Sequence, residues 1–172
     1  SEVYRVTAEG FGVFDVYAAP SDAERVIIAT GEGGVLESRD GGKTWRVLRW
    51  FGEALSRIFV NPVSSAEMYV LTSRGNVFKT DDSGSSWTDI SGNMRRASGI
   101  RADVTRTGGT FFGRGRVRVE SAAFAPNPVF FNIIHAGAGA EFMRSTNGGA
   151  AWERIELPAP PSTGTIISAI AL

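Results

Sequence analysis

The chain of 172 residues contains no cysteine and a single histidine, His135. The first absence removes disulfides, thiolate metal sites and cysteine nucleophiles at one stroke, while leaving the redox compartment open. Lysine is scarce too: Lys43 and Lys79 stand beside 16 arginines, and the formal net charge is zero. Without net charge, no whole-protein field draws the chain toward nucleic acid or an anionic membrane. No run reaches the roughly 18 apolar residues that a membrane-spanning helix needs, and no segment holds a sustained helical period. The first residue is Ser1 and no charged-then-apolar leader follows, so the chain reads as a mature form or as a piece of something longer. What is present is ordinary globular composition, 42% hydrophobic and 21% charged, which argues against disorder.

Against that background, three octapeptides repeat. They are Ser38-Arg39-Asp40-Gly41-Gly42-Lys43-Thr44-Trp45, Thr80-Asp81-Asp82-Ser83-Gly84-Ser85-Ser86-Trp87 and Ser145-Thr146-Asn147-Gly148-Gly149-Ala150-Ala151-Trp152. Pro20, Pro62 and Pro126 precede these boxes by 18, 18 and 19 residues. Each proline ends an apolar stretch: Phe14 to Ala19, Ile58 to Val60, Ala122 to Ala125. A second apolar run follows it: Val26 to Ala29, Met68 to Leu71, Val129 to Ile134. Then come a glycine-bearing turn, a third run (Val35 to Glu37, Val77 to Lys79, Glu141 to Arg144), the box, and a fourth strand beginning at the tryptophan. Run length, β-branched and aromatic content and Gly/Pro/Asn punctuation all indicate strands. Four short strands at a period of 42 residues, Pro20 to Pro62, match one propeller blade. The expected fold is therefore all-β, a β-propeller of four-stranded antiparallel blades, with blades near 12–50, 55–92 and 117–158.

The box has a physical rationale as a tight turn between the third and fourth strands. A carboxylate accepts hydrogen bonds from N–H groups shortly ahead of it, glycine supplies positive φ, and the tryptophan covers the turn while its indole N–H seeks a partner. Asn147 can offer an amide oxygen in place of the carboxylate.

The motif resembles the Asp-box, or bacterial neuraminidase repeat, of sialidases, sortilin-type receptors, xyloglucan-cleaving glycosidases and the photosystem II assembly-factor propeller. The resemblance covers residues 14–157. It implies structural roles for Ser38, Asp40, Gly42 and Trp45, for Thr80, Asp82, Gly84 and Trp87, and for Ser145, Asn147, Gly149 and Trp152. It also implies an extracytoplasmic location, secreted, periplasmic or lumenal. It implies little about activity, because the box is a turn-forming device and not a catalytic motif. Residues 1–172 are expected to form one incomplete propeller domain of about three full blades. Glu2 to Ala8 would be an outer strand of a preceding blade, and residues 163–172, with the run Thr165 to Leu172, the first strand of a further one. Such a ring leaves unpaired edges, so the chain is expected to be a fragment of a longer propeller, to be completed by another chain, or to assemble with further copies; a four-bladed ring with an atypical closing blade would lack about two strands.

The period breaks once. Trp87 to Pro126 is 39 residues against 17 from Trp45 to Pro62, an insertion over residues 92–117. Gly92 to Glu120 holds seven arginines (Arg95, Arg96, Arg101, Arg106, Arg114, Arg116, Arg118) against Asp103 and Glu120. Phe111 and Phe112 lie among glycines and arginines there. Insertions of this kind project from one face of a repeat fold, commonly the binding face. Arginines can pair with phosphate, nucleic acid, anionic glycan or acidic protein, and also with the protein's own acids. Arg95, Arg96, Arg101, Arg106, Phe111, Phe112, Arg114 and Arg116 are the candidate partner-binding residues. Trp50 and Phe51 could mark a second contact patch or pack between blades.

The catalytic alternatives are thinner. Asp40 and Asp82 recur at a turn position, which favours a structural role over metal binding or acid–base work. Glycoside hydrolysis needs two carboxylates flanking a sugar, and a sialidase-like site needs an arginine cluster and a tyrosine nucleophile with a glutamate. Tyr4, Tyr17 and Tyr69 all fall within apparent strands, and Arg57-Ile58-Phe59 lacks the proline of the sialidase Arg-Ile-Pro signature. His135, read at a strand end beside a glycine-rich turn, has no motif partner for general-base work. Gly31 to Gly34 and Gly137 to Gly139 read as hairpin turns, since no helix start follows to bind phosphate. The expectation is thus a non-catalytic interaction or scaffold module, a subunit or accessory of a larger assembly. It has protein partners, including acidic surfaces, and no cofactor, metal or nucleic acid. The alternative is a fragment of a glycan-active enzyme, or a carbohydrate-binding propeller.

Overall fold

The computed structural model describes residues 3–4, 12–20, 22–93, 123–138 and 141–157, and the chain divides into two compact units, Ser1–Ile90 and Ser91–Leu172. Apart from one helical turn at 91–93, the regular structure of the described residues is β.

The first unit contains two antiparallel sheets. In the first, β2 (Val13–Ala19), β3 (Asp22–Thr30), β4 (Gly34–Ser38) and β5 (Trp45–Trp50) form a meander. β1 (Val3–Tyr4) adds a fifth strand, giving the order β1-β5-β4-β3-β2. The second sheet runs β6-β7-β8-β9, with β6 Leu55–Val60, β7 Met68–Thr72, β8 Val77–Thr80 and β9 Thr88–Asp89. The second unit repeats the plan as β10 (Ala123–Pro126), β11 (Ile134–Ala138), β12 (Glu141–Ser145) and β13 (Glu153–Ile155). This is the expected all-β architecture of four-stranded antiparallel blades.

Alternation along the strands explains how the first two sheets pack. Ile27, Ala29 and Val35 point from one face of the first sheet and meet Leu55, Ile58, Val60, Met68 and Val70 of the second. All eight are buried, and Tyr17, Leu48, Phe51 and Trp87 close the margin of the cluster. Each large aliphatic side chain so buried contributes on the order of 1.5–3 kcal/mol of hydrophobic stabilisation. Polar atoms join the sheets as well. A register shift between Val13 and Asp15, and another between Leu55 and Arg57, interrupts each first strand one residue in. Such bulges leave N–H groups out of the ladder. Beside the bulges, Asp15 accepts two backbone hydrogen bonds: Oδ1 from the N–H of Val16 at 3.0 Å, and Oδ2 from that of Ile58, across the inter-sheet contact, at 2.9 Å.

Three expectations are corrected. The N-terminal strand lies on the outer edge of the first sheet, Val3 opposite Arg46 and Tyr4 opposite Trp45, rather than in a preceding blade. The run Val129 to Ile134 is not the second strand of the third repeat, which begins at Ile134. Asn127 Oδ1 accepts the N–H groups of Val129 and Phe130, folding the run into a turn, as Asn61 Oδ1 does for Val63 and Ser64. Asn127 N–H also donates to the Ile133 carbonyl as Asn61 N–H does to that of Glu67. Pro128 is therefore the counterpart of Pro62, and Pro126 is the last residue of β10. Lastly, the fourth strand starts at the tryptophan only in the first sheet; in the others it starts one residue later.

Candidate functional site

The three boxes fold into one hydrogen-bonded pattern. Gly42 N–H donates to Ser38 Oγ at 2.8 Å, Gly84 N–H to Thr80 Oγ1 at 3.0 Å, and Gly149 N–H to Ser145 Oγ at 2.8 Å. Each hydroxyl in turn donates to the third residue: Ser38 to Asp40 at 2.8 Å, Thr80 to Asp82 at 2.7 Å, Ser145 to Asn147 at 3.1 Å. The same Oδ1 accepts the N–H of the seventh residue, Thr44, Ser86 or Ala151, at 2.8 Å each. Oδ2 accepts the seventh residue's hydroxyl at 2.6 Å in the first two boxes. The third lacks that bond because Ala151 has no hydroxyl. The fourth residue (Gly41, Ser83, Gly148) donates its N–H to a carbonyl at equivalent positions, Glu24 within β3, Ala66 just before β7 and Asn132 just before β11. Trp87 and Trp152 Nε1–H donate to the carbonyls of Gly84 and Gly149.

The turn needs positive φ at two successive positions, and glycine supplies five of the six. The exception is Ser83, held at φ 60°, a conformation costly to a residue with a Cβ. Both aspartates are strong acids here. Hydrogen bonds from the hydroxyl and N–H of Thr44, then from Ser38, hold Asp40 down at about 2; those of Ser86 and Thr80 do the same for Asp82, also about 2.

A second polar cluster sits beside the first box. Glu37 on β4 is 1% exposed, and Arg25 Nε lies 2.8 Å from its Oε1. Arg46 donates to Oε2 at 2.6 Å, and Arg39 at 3.2 Å. Burial alone would raise the Glu37 carboxyl, but Arg25, Arg46 and Arg39 outweigh it and hold the group below the usual glutamate value. One repeat along, Lys79 replaces Glu37 and Asp81 replaces Arg39, and Lys79 Nζ lies 2.7 Å from Asp81 Oδ1. In the third sheet the cross-strand pair Glu37–Arg46 becomes Arg144–Glu153, at 3.6 Å. The repeats preserve complementarity and reverse its sign.

No family model matches the sequence, and no curated protein matches it. Solved structures do resemble the fold. An ancestral GH74 enzyme aligns over 86% of this chain and 19% of its own, at 18% identity and a TM-score of 0.57. YCF48 from Cyanidioschyzon merolae aligns over 90% of this chain and 40% of its own, at 19% identity and 0.53. YCF48 bound to D1 peptide aligns over 89% and 42%, at 16% identity and 0.50. The chain thus spans less than half the length of each of these. The neighbours are β-propellers. Identities this low carry the fold and nothing finer.

The candidate partner-binding residues Arg95, Arg96, Arg101, Arg106, Phe111, Phe112, Arg114 and Arg116 lie outside the described residues. Of the insertion, Gly92 and Asn93 are described, and Asn93 Nδ2 donates to the Gly149 carbonyl at 3.4 Å. The Trp50-Phe51 pair divides. Phe51 packs on Phe78 and, edge-on, on Trp87, with Arg49 over its ring. Trp50 is exposed and lies against Gly34, where a Cβ would come within 2.6 Å of its ring. Exposed Phe14 lies as closely against Gly31, so both aromatics flank the β3–β4 turn. His135 is the second residue of β11 rather than the end of a strand, and stacks on Phe142 with ring centroids 5.8 Å apart. Burial in the second sheet pushes the Tyr69 hydroxyl far up, and the charges of Asp81 and Glu67 add to it. That shift is opposite to what a nucleophile requires. Among the described residues, no three His, Asp or Glu are grouped to hold a metal, and no helix is long and apolar enough to cross a membrane.

Asp15 and the Glu37 cage were not foreseen. Their sequence signal is an acid inside an apolar strand, Val13-Phe14-Asp15-Val16 and Val35-Leu36-Glu37, where burial demands a partner.

Proposed function

We propose that the chain is a non-catalytic, protein-binding propeller module, a subunit or accessory part of a larger extracytoplasmic assembly. The observation that carries this reading is the occupation of the repeated acids. Asp40 and Asp82 receive hydrogen bonds on both carboxylate oxygens from within their own turns, and Glu37 is enclosed by three guanidinium groups. Acids so engaged are poor ligands and poor bases. YCF48, of similar fold, binds a D1 peptide, and the proposal carries protein or peptide recognition over to this chain. Recognition falls to the insertion, through Arg95, Arg96, Arg101, Arg106, Arg114 and Arg116 with Phe111 and Phe112, and its target is an acidic protein surface.

The test is deletion of residues 94–117, sparing Gly92 and Asn93, with a polyglutamate peptide as probe in fluorescence anisotropy over a salt series. The full chain is expected to bind, more weakly as salt rises, and the deletion variant to remain folded and lose binding. Unchanged binding by the deletion variant refutes the assignment. Similarity to GH74 enzymes, together with the exposed Phe14 and Trp50 at one turn, favours a second reading, a carbohydrate-binding or glycan-active fragment. Turnover or tight binding of xyloglucan or sialosides, abolished by Trp50→Ala, would replace the first reading with that one.

A further inference from the structure

Glu53 is held where two turns meet. It lies in the link between β5 and β6, against the β3–β4 turn of the first sheet and the β7–β8 turn of the second. Phe51 N–H donates to the Gly33 carbonyl at 2.8 Å, and a Cβ on Gly33 would come within 2.4 Å of the Glu53 carbonyl oxygen. Glycine at 33 therefore lets the link lie directly on the first turn. Ser73 N–H donates to the Ala54 carbonyl at 2.8 Å and ties the link to the second turn. From that turn the Asn76 side chain reaches the carboxylate, Nδ2 donating to Glu53 Oε1 at 2.7 Å.

The other carboxylate oxygen has no such donor. The Glu53 side chain is 10% exposed, and its Oε2 is buried without a hydrogen bond. Arg74 Nε stands 3.7 Å from it, too far for a hydrogen bond, on a side chain that is 80% exposed. Glu37, also enclosed, differs in receiving guanidinium hydrogen bonds on both oxygens. A buried carboxylate oxygen without a donor is destabilising and calls for a reason.

Turn formation does not supply that reason. Gly33 and Gly75, at φ 95° and 77°, donate to the carbonyls of Thr30 and Thr72, and the next N–H, Gly34 or Asn76, donates to the threonine hydroxyl at 3.0 Å in each turn. Gly31 N–H meets the Gly12 carbonyl as Ser73 N–H meets that of Ala54. In the first turn, however, Glu32 and Gly34 stand where the second has Arg74 and Asn76. The same turn closes without an arginine or an asparagine, so their arrangement around Glu53 is an addition to the repeat.

We propose that Glu53 Oε2 accepts a guanidinium from a binding partner: an arginine side chain of a peptide or protein takes the place that Arg74 holds loosely, while Arg74 turns to solvent. A well-seated guanidinium donates charge-assisted hydrogen bonds to a carboxylate at about 2.7–2.9 Å, which Arg74 does not do from its present distance. An exposed pair of that kind contributes little, so Arg74 is readily displaced. Arg74 already brings a guanidinium to this oxygen, which favours arginine over lysine as the incoming group. The site is opposite in charge to the insertion and does not depend on the insertion's role.

The probe is the tripeptide Gly-Arg-Gly, blocked at both ends, with citrulline and lysine analogues, titrated into the ¹⁵N-labelled full chain and followed by NMR. The arginine peptide is expected to shift the backbone amides of Arg74 and Gly75 and the Asn76 side-chain amide saturably. The lysine peptide is expected to bind more weakly, and the neutral citrulline peptide not at all. Glu53→Gln keeps an acceptor for Asn76 and is expected to weaken binding about tenfold or more. Arg74→Ala removes the internal competitor and is expected to tighten binding about two- to fivefold, whereas Lys43→Ala, the same charge change elsewhere, leaves it unaltered. Absence of a saturable shift overturns the proposal, as do equal shifts from the citrulline or lysine peptide, unchanged binding by Glu53→Gln, or weaker binding by Arg74→Ala. Polyglutamate binding is expected to survive Glu53→Gln, so failure of this site and failure of the insertion's proposed role are read separately.

Discussion

Replacing Glu37 with glutamine removes one charge from a buried cluster and keeps its shape. Arg25 is the partner that matters, since its side chain is 7% exposed, whereas Arg39 and Arg46 are 66% and 50% exposed and can turn to water. Breaking a buried ion pair by removing one member costs about 3–5 kcal/mol, and each exposed arginine contributes at most about 1 kcal/mol. Glutamine still accepts a hydrogen bond, so the expected loss lies near 3 kcal/mol. Urea unfolding followed by tryptophan fluorescence reads this directly: with a slope of about 1–3 kcal/mol per molar, the midpoint falls by about 1 M or more. The double variant Glu37→Leu with Arg25→Met removes both charges and is expected to recover most of the loss, because apolar replacement of a buried pair is often neutral or better.

The same variants have a pH signature. The folded carboxyl titrates below its ordinary 4.5, so its contribution is full above that value and is lost as pH falls through the lower folded pKa. The gap between wild type and Glu37→Gln therefore closes on acidification below about 4.5. A loss under about 1 kcal/mol for Glu37→Gln, or an equal loss for Arg39→Ala, would refute the view that the buried Arg25–Glu37 pair anchors the cluster.

Three further outcomes are expected. Ser83→Gly relieves a left-handed serine and raises the melting temperature slightly, the roughly 1–2 kcal/mol of relief being partly offset by about 0.5–1 kcal/mol of glycine entropy. Gly84→Ala lowers it, because φ is 85° and the new Cβ would lie 2.9 Å from Leu48 Cδ1; thermal melts giving the reverse order would contradict the turn geometry. Asp40 and Asp82 should titrate near 2 in carboxyl NMR, and their contribution, present above the ordinary 3.8, should fade as pH drops toward 2; titration at ordinary values would break the turn network as drawn. Ile58→Ala is expected to cost about 2–4 kcal/mol and Val16→Ala under about 0.5 kcal/mol in the monomer, read by chemical denaturation. Similar costs would refute the difference in cover between the two faces.

Much of the fold is legible in the residues, and the errors are instructive. Strands β2, β6, β8 and β12 fall where their apolar runs stand, and each box falls between a third and a fourth strand, because period-two burial and turn chemistry are local properties. The run Val129 to Ile134 misleads for a local reason too. It is as apolar as a strand, yet the Asn127 side chain takes its first N–H groups and turns the chain. Two prolines stand near that turn, and pairing chooses Pro128 over Pro126. The strand at Val3–Tyr4 is misassigned because an edge strand's partner is a non-local choice. Of the candidate binding residues, Trp50 and Phe51 carry the same apolar character but meet different fates. Phe51 is half-buried against Phe78 and Trp87, whereas Trp50 lies against Gly34 and stays exposed.

By itself, the sequence determined that the chain builds antiparallel four-stranded sheets with a recurring acid-centred turn, since residue type at short spacing suffices for a strand or a turn. Only the tertiary structure decided which acids are buried, which partners neutralise them and which copy of a repeated face is left open. Asp15 serves a neighbouring strand 43 residues away, and Val16 and Ile58 hold matching register positions of β2 and β6, yet Ile58 is buried under the first sheet and Val16 is exposed. Cover is a property of what packs on a residue, and no local pattern records it.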